Sequence, residues 1–130
     1  MTEYSVKSIV RSDLPTLTPA TPIRRAAALL VDAKAAAMAI VGDDGRLMGI
    51  LSQKDCFRPA LHAIYHHDWT GTVEEHMTRD VISVDIDEEV TRAAKMFLDH
   101  PHRVFPVLSG QSVAGMLHRS DVLSFLMKFG

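Results

Sequence analysis

The sequence predicts an α/β (α+β) fold in which two β-α-β-β-α repeats pack through their sheets into one module. Three observations support this: the chain aligns with itself, short apolar strands alternate with helices in both halves, and both halves contain a similar strand-to-helix junction. The chain has 130 residues, so each copy has roughly 60, which is marginal for folding alone. We therefore expect the copies to share a core, with a first repeat and its lead-in at 1–66 and a second repeat at 67–130.

The internal repeat keeps its register over most of the chain. Its offset is 67 residues up to the Asp43-Asp44-Gly45 turn and 66 beyond it, as a one-residue deletion in a turn would produce. Chance similarity would not keep the register on both sides of the turn. The matched pairs are Val6 with Val73, Asp13 with Asp80, Thr16 with Ser83, Leu17 with Val84, Ala26-Ala27 with Ala93-Ala94, Ile40-Val41 with Val107-Leu108, Leu47 with Val113, Gly49 with Gly115, Leu51 with Leu117, and Asp55 with Asp121.

The first copy reads as an extended segment, a helix, a two-stranded hairpin and a closing helix. Thr21 supplies a capping hydroxyl and Pro22 suits the first helical position. The turn at 43–45 is typical of a hairpin. The predicted bounds are 15–18, 23–32, 38–41, 46–51 and 54–66.

The second copy repeats the same order. Its first helix begins at Asp87-Glu88-Glu89, where acidic side chains favour the positive end of the helix dipole. The predicted bounds are 81–85, 88–98, 104–108, 112–117 and 120–128.

Composition excludes several function classes. The net charge is −2 and no basic block is present, so nucleic acid is not an expected partner. One cysteine allows no intrachain disulfide, which fits a reducing compartment. Residues 1–5 show no secretory signal, and apolar stretches such as 35–41 are far shorter than the ~20 residues of a membrane helix. We expect a soluble, cytoplasmic protein that does not bind membranes.

The strand-to-helix junctions at 49–55 and 115–121 carry the main functional signal. One interpretation is helix capping, with Ser52 as the cap and an aspartate in the first turn. The other is ligand binding, because such a junction offers backbone N–H groups and a hydroxyl to phosphate. An aspartate one turn later can accept two hydrogen bonds from a ribose diol.

With these junctions, the turn at 43–45, the segment 103–107 and the lead-in at 73–78, the chain resembles a tandem pair of CBS domains (cystathionine-β-synthase-type repeats, together a Bateman module) from about residue 6 to 129. Such modules are generally not enzymes. They bind AMP, ADP, ATP or S-adenosylmethionine in clefts between the repeats and regulate partner domains. The resemblance implies an adenosyl nucleotide as a regulatory ligand, with no required cofactor.

The resemblance assigns ribose binding to Asp55 and Asp121, and a phosphate or ribose contact to Ser52. The second copy departs from the pattern, because His118 replaces the serine or threonine. A histidine can be neutral near pH 7, can contact phosphate when charged, or can obstruct the site. Neighbours that could replace the lost polar contacts are Arg119 and Ser120.

The resemblance also places adenine between the extended segment and the short strand of one repeat, opposite the aspartate of the other. Arg103, with His102, resembles a basic pair that reaches phosphates, although an arginine in solvent is the alternative. The first copy has Ala35-Ala36 there, which suggests one phosphate site rather than two. The residues expected to act with Asp121 are Thr16, Leu17, Thr18 and Ile40; those expected to act with Asp55 are Ser83, Val84, Pro106 and Val107, and the apolar ones also suit an ordinary core.

Other chemistry is weaker. His62 and His66 have the spacing that puts two metal ligands on one helix face, with His67 and His76 nearby, but no cysteine or acidic helix motif accompanies them. Solvated histidines are the favoured interpretation, and Cys56 is expected to be a buried small hydrophobe. No catalytic triad, phosphate-binding lysine loop or paired carboxylates are legible, so no catalytic or metal-ligating residues are predicted.

Two functions follow as hypotheses: an adenosyl-ligand sensor that acts through a protein partner or its oligomeric state, and a scaffold whose clefts have decayed. We also expect a homodimer through the closing helices, because their apolar faces are wider than one core contact requires. The alternative is that these residues pack on the chain's own segment 4–10. The apolar residues concerned are Phe57, Leu61, Ile64 and Tyr65 in the first copy, and Val122, Leu123, Phe125, Leu126, Met127 and Phe129 in the second.

Overall fold

The computed structural model describes residues 4–129 and has the predicted mixed α/β fold. The chain forms two compact units: Leu14–Val81, and the residues up to Asp13 together with those from Ile82 onward. The lead-in of each repeat thus belongs to the unit that holds the hairpin of the other repeat. The boundary between the repeats after residue 66 stays a prediction. We call them the Leu14–Val81 unit and the Ile82 unit.

The Leu14–Val81 unit contains α1 (Ile23–Asp32), β1 (Ala37–Val41), β2 (Leu47–Ser52), a 3-10 turn (Lys54–Cys56), α2 (Phe57–His66) and α3 (Val73–His76). β1 and β2 pair antiparallel from Ala37 opposite Ser52. Leu17 adds a parallel bridge to Ile40 on the other edge of β1. The core lies beneath this hairpin, with Leu30, Met38, Ile40 and Leu51 fully buried.

The Ile82 unit contains a 3-10 turn (Val6–Ser8), β3 (Val84–Asp85), α4 (Val90–Asp99), β4 (Val104–Ser109), β5 (Ser112–His118) and α5 (Arg119–Met127). β3 pairs parallel with β4, and β4 pairs antiparallel with β5. Val84 opposite Val107 repeats the pairing of Leu17 with Ile40. The core includes Phe105 and Leu117, both fully buried.

Each lead-in segment pairs with the hairpin of the other repeat. Thr78, in the lead-in of the second repeat, exchanges two backbone hydrogen bonds of 2.9 Å with Ile50 on β2. Arg11, in the lead-in of the first repeat, makes the equivalent exchange with Met116 on β5, at 2.9 and 2.8 Å. Glycine makes both approaches possible, because a Cβ atom on Gly49 or Gly115 would collide with the backbone of the lead-in. The repeats are therefore built from exchanged segments.

The helix starts differ from the sequence predictions. Pro22 is the N-cap of α1 rather than its first residue, and the Thr21 hydroxyl accepts from the Thr18 N–H instead of capping the helix. α4 begins at Val90, so Asp87-Glu88-Glu89 precede its first turn. The short α3 was not predicted as a helix. It begins with a capping box, in which Thr72 and Glu75 satisfy each other's backbone N–H groups.

Candidate functional site

Asp55 lies at the start of the helical segment that follows β2, in a reciprocal contact with Ser52. Its Oδ2 accepts from the Ser52 N–H at 2.9 Å, and Ser52 Oγ accepts from the Asp55 N–H at 3.2 Å. The Ser52 hydroxyl thus accepts an N–H group of the first turn, as a cap does, although Gln53 rather than Ser52 is the N-cap residue of the 3-10 turn. The reciprocal contact leaves a half-buried carboxylate in a fixed orientation, which is what recognition of a ribose diol requires.

Asp121 occupies the equivalent position at the start of α5, but its partner is different. Arg11 Nε and Nη2 donate to its two carboxylate oxygens at 2.7 and 2.9 Å, a two-pronged contact. The guanidinium lowers the pKa of Asp121, and the same hydrogen bond raises the pKa of Arg11. Sequence reasoning missed Arg11, because its partner is 110 residues away.

His118 takes the N-cap position of α5 without capping it. Its backbone is extended, yet its side chain makes no cap hydrogen bond. Within residues 4–129, its buried Nε2 atom has no hydrogen-bond partner. Burial lowers the pKa of His118, and Arg11 lowers it further, against smaller opposing effects of Asp121 and Asp13. The side chain is thus a neutral imidazole at pH 7 with an unmet polar atom.

The backbones of Arg103 and Arg119 lie side by side at one end of the sheet of the Ile82 unit. The Arg119 N–H donates to the Arg103 carbonyl at 2.9 Å, which places both backbones beside the start of α5. Both residues are exposed, as is Ser120. The other unit makes the same contact between Gln53 and Ala36, at 3.0 Å, without a charge. Gln53 Nε2 also donates to the Ala35 carbonyl at 2.8 Å.

His102 precedes β4 and packs inward. Its ring lies against Phe105, with centroids 5.3 Å apart, and edge-on to His100 at 5.6 Å. Its buried Nδ1 atom has no hydrogen-bond partner among residues 4–129. The basic pair predicted at 102–103 is therefore divided between a packed imidazole and an exposed guanidinium.

The residues expected near adenine fall into two groups. Thr16 and Thr18 are exposed and Ser83 is half-buried, so their polar groups can meet a ligand. The Thr18 hydroxyl also lies 3.0 Å from the Thr21 hydroxyl. The apolar members belong to the buried part of their own unit, so they offer mainly backbone groups; they are Leu17, Ile40, Val84, Pro106 and Val107.

The two histidines of α2 are exposed, whereas the cysteine is buried. His62 and His66 stack on one face of α2, with ring centroids 4.4 Å apart. The described part of the chain holds no group of three residues suited to bind a metal ion. Cys56 is buried, as predicted, and burial raises the pKa of its thiol, with a smaller effect of Asp55.

An open groove of about 500 Å³ lies between α1 and α2 of the Leu14–Val81 unit, and it was not predicted from the sequence. Its walls are mainly apolar and include the aromatic rings of Phe57 and Trp69. The other lining residues are Arg24, Ala27, Ala28, Leu30, Val31, Asp32, Gln53, Cys56 and Ala60.

The two halves match one family model, the CBS domain, at residues 6–61 and 73–128. The chain belongs to the CBS domain family. The two matches make it a tandem CBS pair, as its resemblance to this family predicted. Among residues 4–129, no helix is both long and apolar enough to cross a membrane.

Solved CBS-pair structures share this fold. CBSX2 from Arabidopsis thaliana superimposes with a TM-score of 0.84 at 23% identity, covering 98% of this chain and 97% of that one. A second CBSX2 structure, in complex with AMP, gives 0.83 at 23% identity, with 97% and 98% covered. The CBS pair of MJ0100, in complex with 5′-methylthioadenosine and S-adenosyl-L-methionine, gives 0.77 at 26% identity, with 99% and 100% covered.

A curated relative is the homoserine O-acetyltransferase of Methanohalophilus mahii, 25% identical over 126 residues. The match covers 97% of this chain but 25% of the relative. The CBS pair thus spans about a quarter of that relative's length.

Proposed function

We propose that this CBS pair is a regulatory module that binds an adenosyl ligand (AMP, ADP, ATP or S-adenosylmethionine) and catalyses no reaction. The observation that carries the proposal is the repeated placement of a carboxylate, Asp55 and Asp121, at the same strand-to-helix junction of the two repeats. Two CBS-pair neighbours with this fold hold AMP or 5′-methylthioadenosine and S-adenosyl-L-methionine. These complexes support an adenosyl ligand as the class.

Asp55 is the stronger ribose anchor. Its carboxylate is already oriented by the Ser52 N–H, so binding a diol costs little further ordering. Ser52 Oγ, which accepts from the Asp55 N–H, can still donate its own proton to a ligand oxygen. In the Ile82 unit, we propose ligand contacts from the partly exposed polar residue Ser83 and from the backbone of Val84, Pro106 and Val107.

Asp121 is the second anchor. In the Leu14–Val81 unit, we propose ligand contacts from Thr16, Thr18 and the backbone of Leu17 and Ile40. Arg103 supplies a phosphate contact, because it is exposed and an arginine binds phosphate through two parallel hydrogen bonds. These roles, and those of His102, His118, Arg119 and Ser120, rest on the family resemblance and the positions described above.

Output would pass through a protein partner or a change of oligomeric state, and a homodimer is the simplest form. On α2 the side chains of Leu61, Ile64 and Tyr65 are 52%, 71% and 76% exposed, an unusual apolar surface for a monomer. On α5, Tyr4 packs on Phe125 and Phe129, with ring centroids 5.1 and 4.7 Å apart, which supports the intrachain alternative for these two side chains. We therefore propose that α2 contributes most to the dimer.

A scaffold with empty clefts is the second candidate. It is favoured by three features of the Ile82 unit: Arg11 already pairs with Asp121, His118 does not cap its helix, and the His102 ring is packed inward. None of these three features involves Asp55. If the site at Asp121 has lost its ligand, the site at Asp55 would therefore remain.

Thermal unfolding with AMP, ADP, ATP, S-adenosylmethionine or adenosine at millimolar concentration tests the proposal. A ligand that binds only the folded state raises the unfolding temperature, by an amount that grows with concentration. We expect a shift with at least one adenosyl ligand and none with the matched guanosine compound. An unfolding temperature unchanged by every adenosyl ligand would support the scaffold instead.

A further inference from the structure

The carboxylate assigned to ribose in the Ile82 unit is already in use. Arg11 donates through Nε to Asp121 Oδ2 at 2.7 Å and through Nη2 to Oδ1 at 2.9 Å. A ribose diol uses the same two oxygens as acceptors. Each oxygen can accept a second hydrogen bond, so the ligand either displaces the guanidinium or binds beside it. In both cases the guanidinium lies next to the bound ligand.

The other unit has no such competitor. Thr78 holds the position of Arg11, because it pairs with Ile50 just as Arg11 pairs with Met116. Thr78 brings no charge, and Asp55 accepts from the uncharged Ser52 N–H. The surroundings of Asp55 and Asp121, which we call the Asp55 end and the Asp121 end, thus share the same backbone pairing. They differ because a displaceable cation, Arg11, is present only at the Asp121 end.

The side chain of Arg11 can leave Asp121 without moving its backbone. Two hydrogen bonds to Met116 hold the backbone, and neither involves the side chain. The side chain itself is 49% exposed. Displacement therefore requires rotation about side-chain bonds only, and the guanidinium stays tethered close to the ligand.

A displaced Arg11 guanidinium needs a new acceptor. Among residues 4–129, Asp121 is the one carboxylate with which it forms hydrogen bonds. Asp13 is the other carboxylate that acts on Arg11, and it does so without a hydrogen bond. A phosphate on the ligand would give the guanidinium a new two-pronged acceptor, whereas a neutral nucleoside would leave the guanidinium without one.

On the basis of the proposed function, we propose that Arg11 makes the Asp121 end selective for adenosyl ligands that carry a phosphate, over neutral ligands such as adenosine. The ion pair with Asp121 is exchanged for a pair with the phosphate, while the ribose takes the carboxylate. The Asp55 end, which lacks this cation, discriminates less between the two ligand types.

Isothermal titration with AMP and with adenosine tests this, using the full chain. The Asp55→Ala variant leaves Asp121 as the only ribose anchor, and Arg11→Gln is then added to it. The matched control is Thr78→Gln in the Asp55→Ala background, which changes the equivalent position of the other unit. Arg11→Lys, which keeps the charge but not the two-pronged geometry, is a second variant should Arg11→Gln unfold.

We expect Asp55→Ala to bind AMP more tightly than adenosine, and Arg11→Gln to reduce the ratio of the two affinities by about tenfold or more. The Arg11→Lys change should reduce the ratio by less, and Thr78→Gln should leave it unchanged. If Arg11→Gln leaves the ratio unchanged, the inference is wrong and the proposed function stands. The same conclusion follows if the wild type binds both ligands and Asp55→Ala binds neither. If neither the wild type nor any variant binds an adenosyl ligand, both proposals fail.

Discussion

The carbonyl oxygen of Thr78 lies directly against Gly49: a Cβ atom built on Gly49 would be 2.7 Å from this oxygen and 2.9 Å from Met77 Sδ. The same carbonyl accepts the Ile50 N–H at 2.9 Å. The lead-in segment can therefore pair with β2 only because residue 49 has no side chain. Gly115 has the same relationship to the Arg11 carbonyl in the other unit.

Gly49→Ala should lower the free energy of unfolding by about 1–3 kcal/mol, because the added methyl group meets a backbone atom that cannot move without breaking the Ile50–Thr78 pairing. Urea unfolding measures the change. Gly42→Ala is the control, since its added methyl group would lie 3.2 Å from the flexible side chains of Asp44 and Met48, and should cost under ~0.5 kcal/mol. Equal losses for the two variants would contradict the role given to Gly49.

His118→Ser should stabilise the start of α5. The serine would match Ser52, whose hydroxyl accepts from the Asp55 N–H, and such a cap contributes about 0.5–2 kcal/mol. It would also remove the unpartnered Nε2 atom. Chemical denaturation at pH 8 measures the gain. A variant less stable than the wild type at that pH would mean that imidazole packing outweighs the cap.

The same variant should change the pH dependence of stability. Burial lowers the pKa of His118, so below its ordinary value of about 6.5 the unfolded chain takes up a proton that the folded chain does not. The wild type therefore loses stability as the pH falls through this value, and His118→Ser lacks that part of the loss. The gap between the two should widen from pH 8 to pH 5. A constant gap would show that His118 titrates normally.

Arg103→Ala should weaken AMP or ATP binding far more than adenosine binding, because the exposed guanidinium is assigned to phosphate. Calorimetric titration gives both affinities. Arg92→Ala is the control, because it removes another exposed arginine, one on α4 whose Nε atom lies 3.6 Å from Glu88 Oε2. Equal weakening of all ligands by Arg103→Ala would instead mean that Arg103 supports the fold.

Replacing Leu61 and Ile64 together with lysine should convert a dimer to a monomer, because these exposed α2 residues would place charges in the proposed interface. Light scattering at tens of micromolar measures the mass. Lys54→Glu, just before the same helix, should leave the mass unchanged. A wild type that is already monomeric at this concentration would remove the homodimer from the proposal.

Most secondary structure could be predicted from the repeat. The self-alignment made Leu17 equivalent to Val84 and Ile40 equivalent to Val107, and the structure pairs the two residues of each copy in the same way. α1 has its predicted bounds, because its apolar periodicity and its flanking turn residues agree. These features depend on local pattern, which a single sequence contains.

The exchange of lead-in segments could not be predicted in this way. Self-alignment shows that Arg11 corresponds to Thr78, but not which hairpin either segment joins. The pairing of Arg11 with Asp121 depends on that exchange and on a sequence separation of 110 residues. The burial of the His102 ring against Phe105 depends on packing as well. The placement of Asp55 and Asp121 at the strand-to-helix junctions could therefore be predicted, but the pairing of Asp121 with Arg11 could not.

The central claim is that the two repeat-equivalent aspartates anchor the ribose of an adenosyl ligand. Isothermal titration of the wild type, Asp55→Asn, Asp121→Asn and the double variant with AMP tests it most directly. We expect each single variant to bind fewer AMP molecules or to bind AMP more weakly, because it lacks one ribose anchor. Hydrogen bonds to a charged group contribute about 1.5–3 kcal/mol each. The double variant should bind no AMP while remaining folded. A folded double variant that binds AMP as tightly as the wild type would contradict the claim.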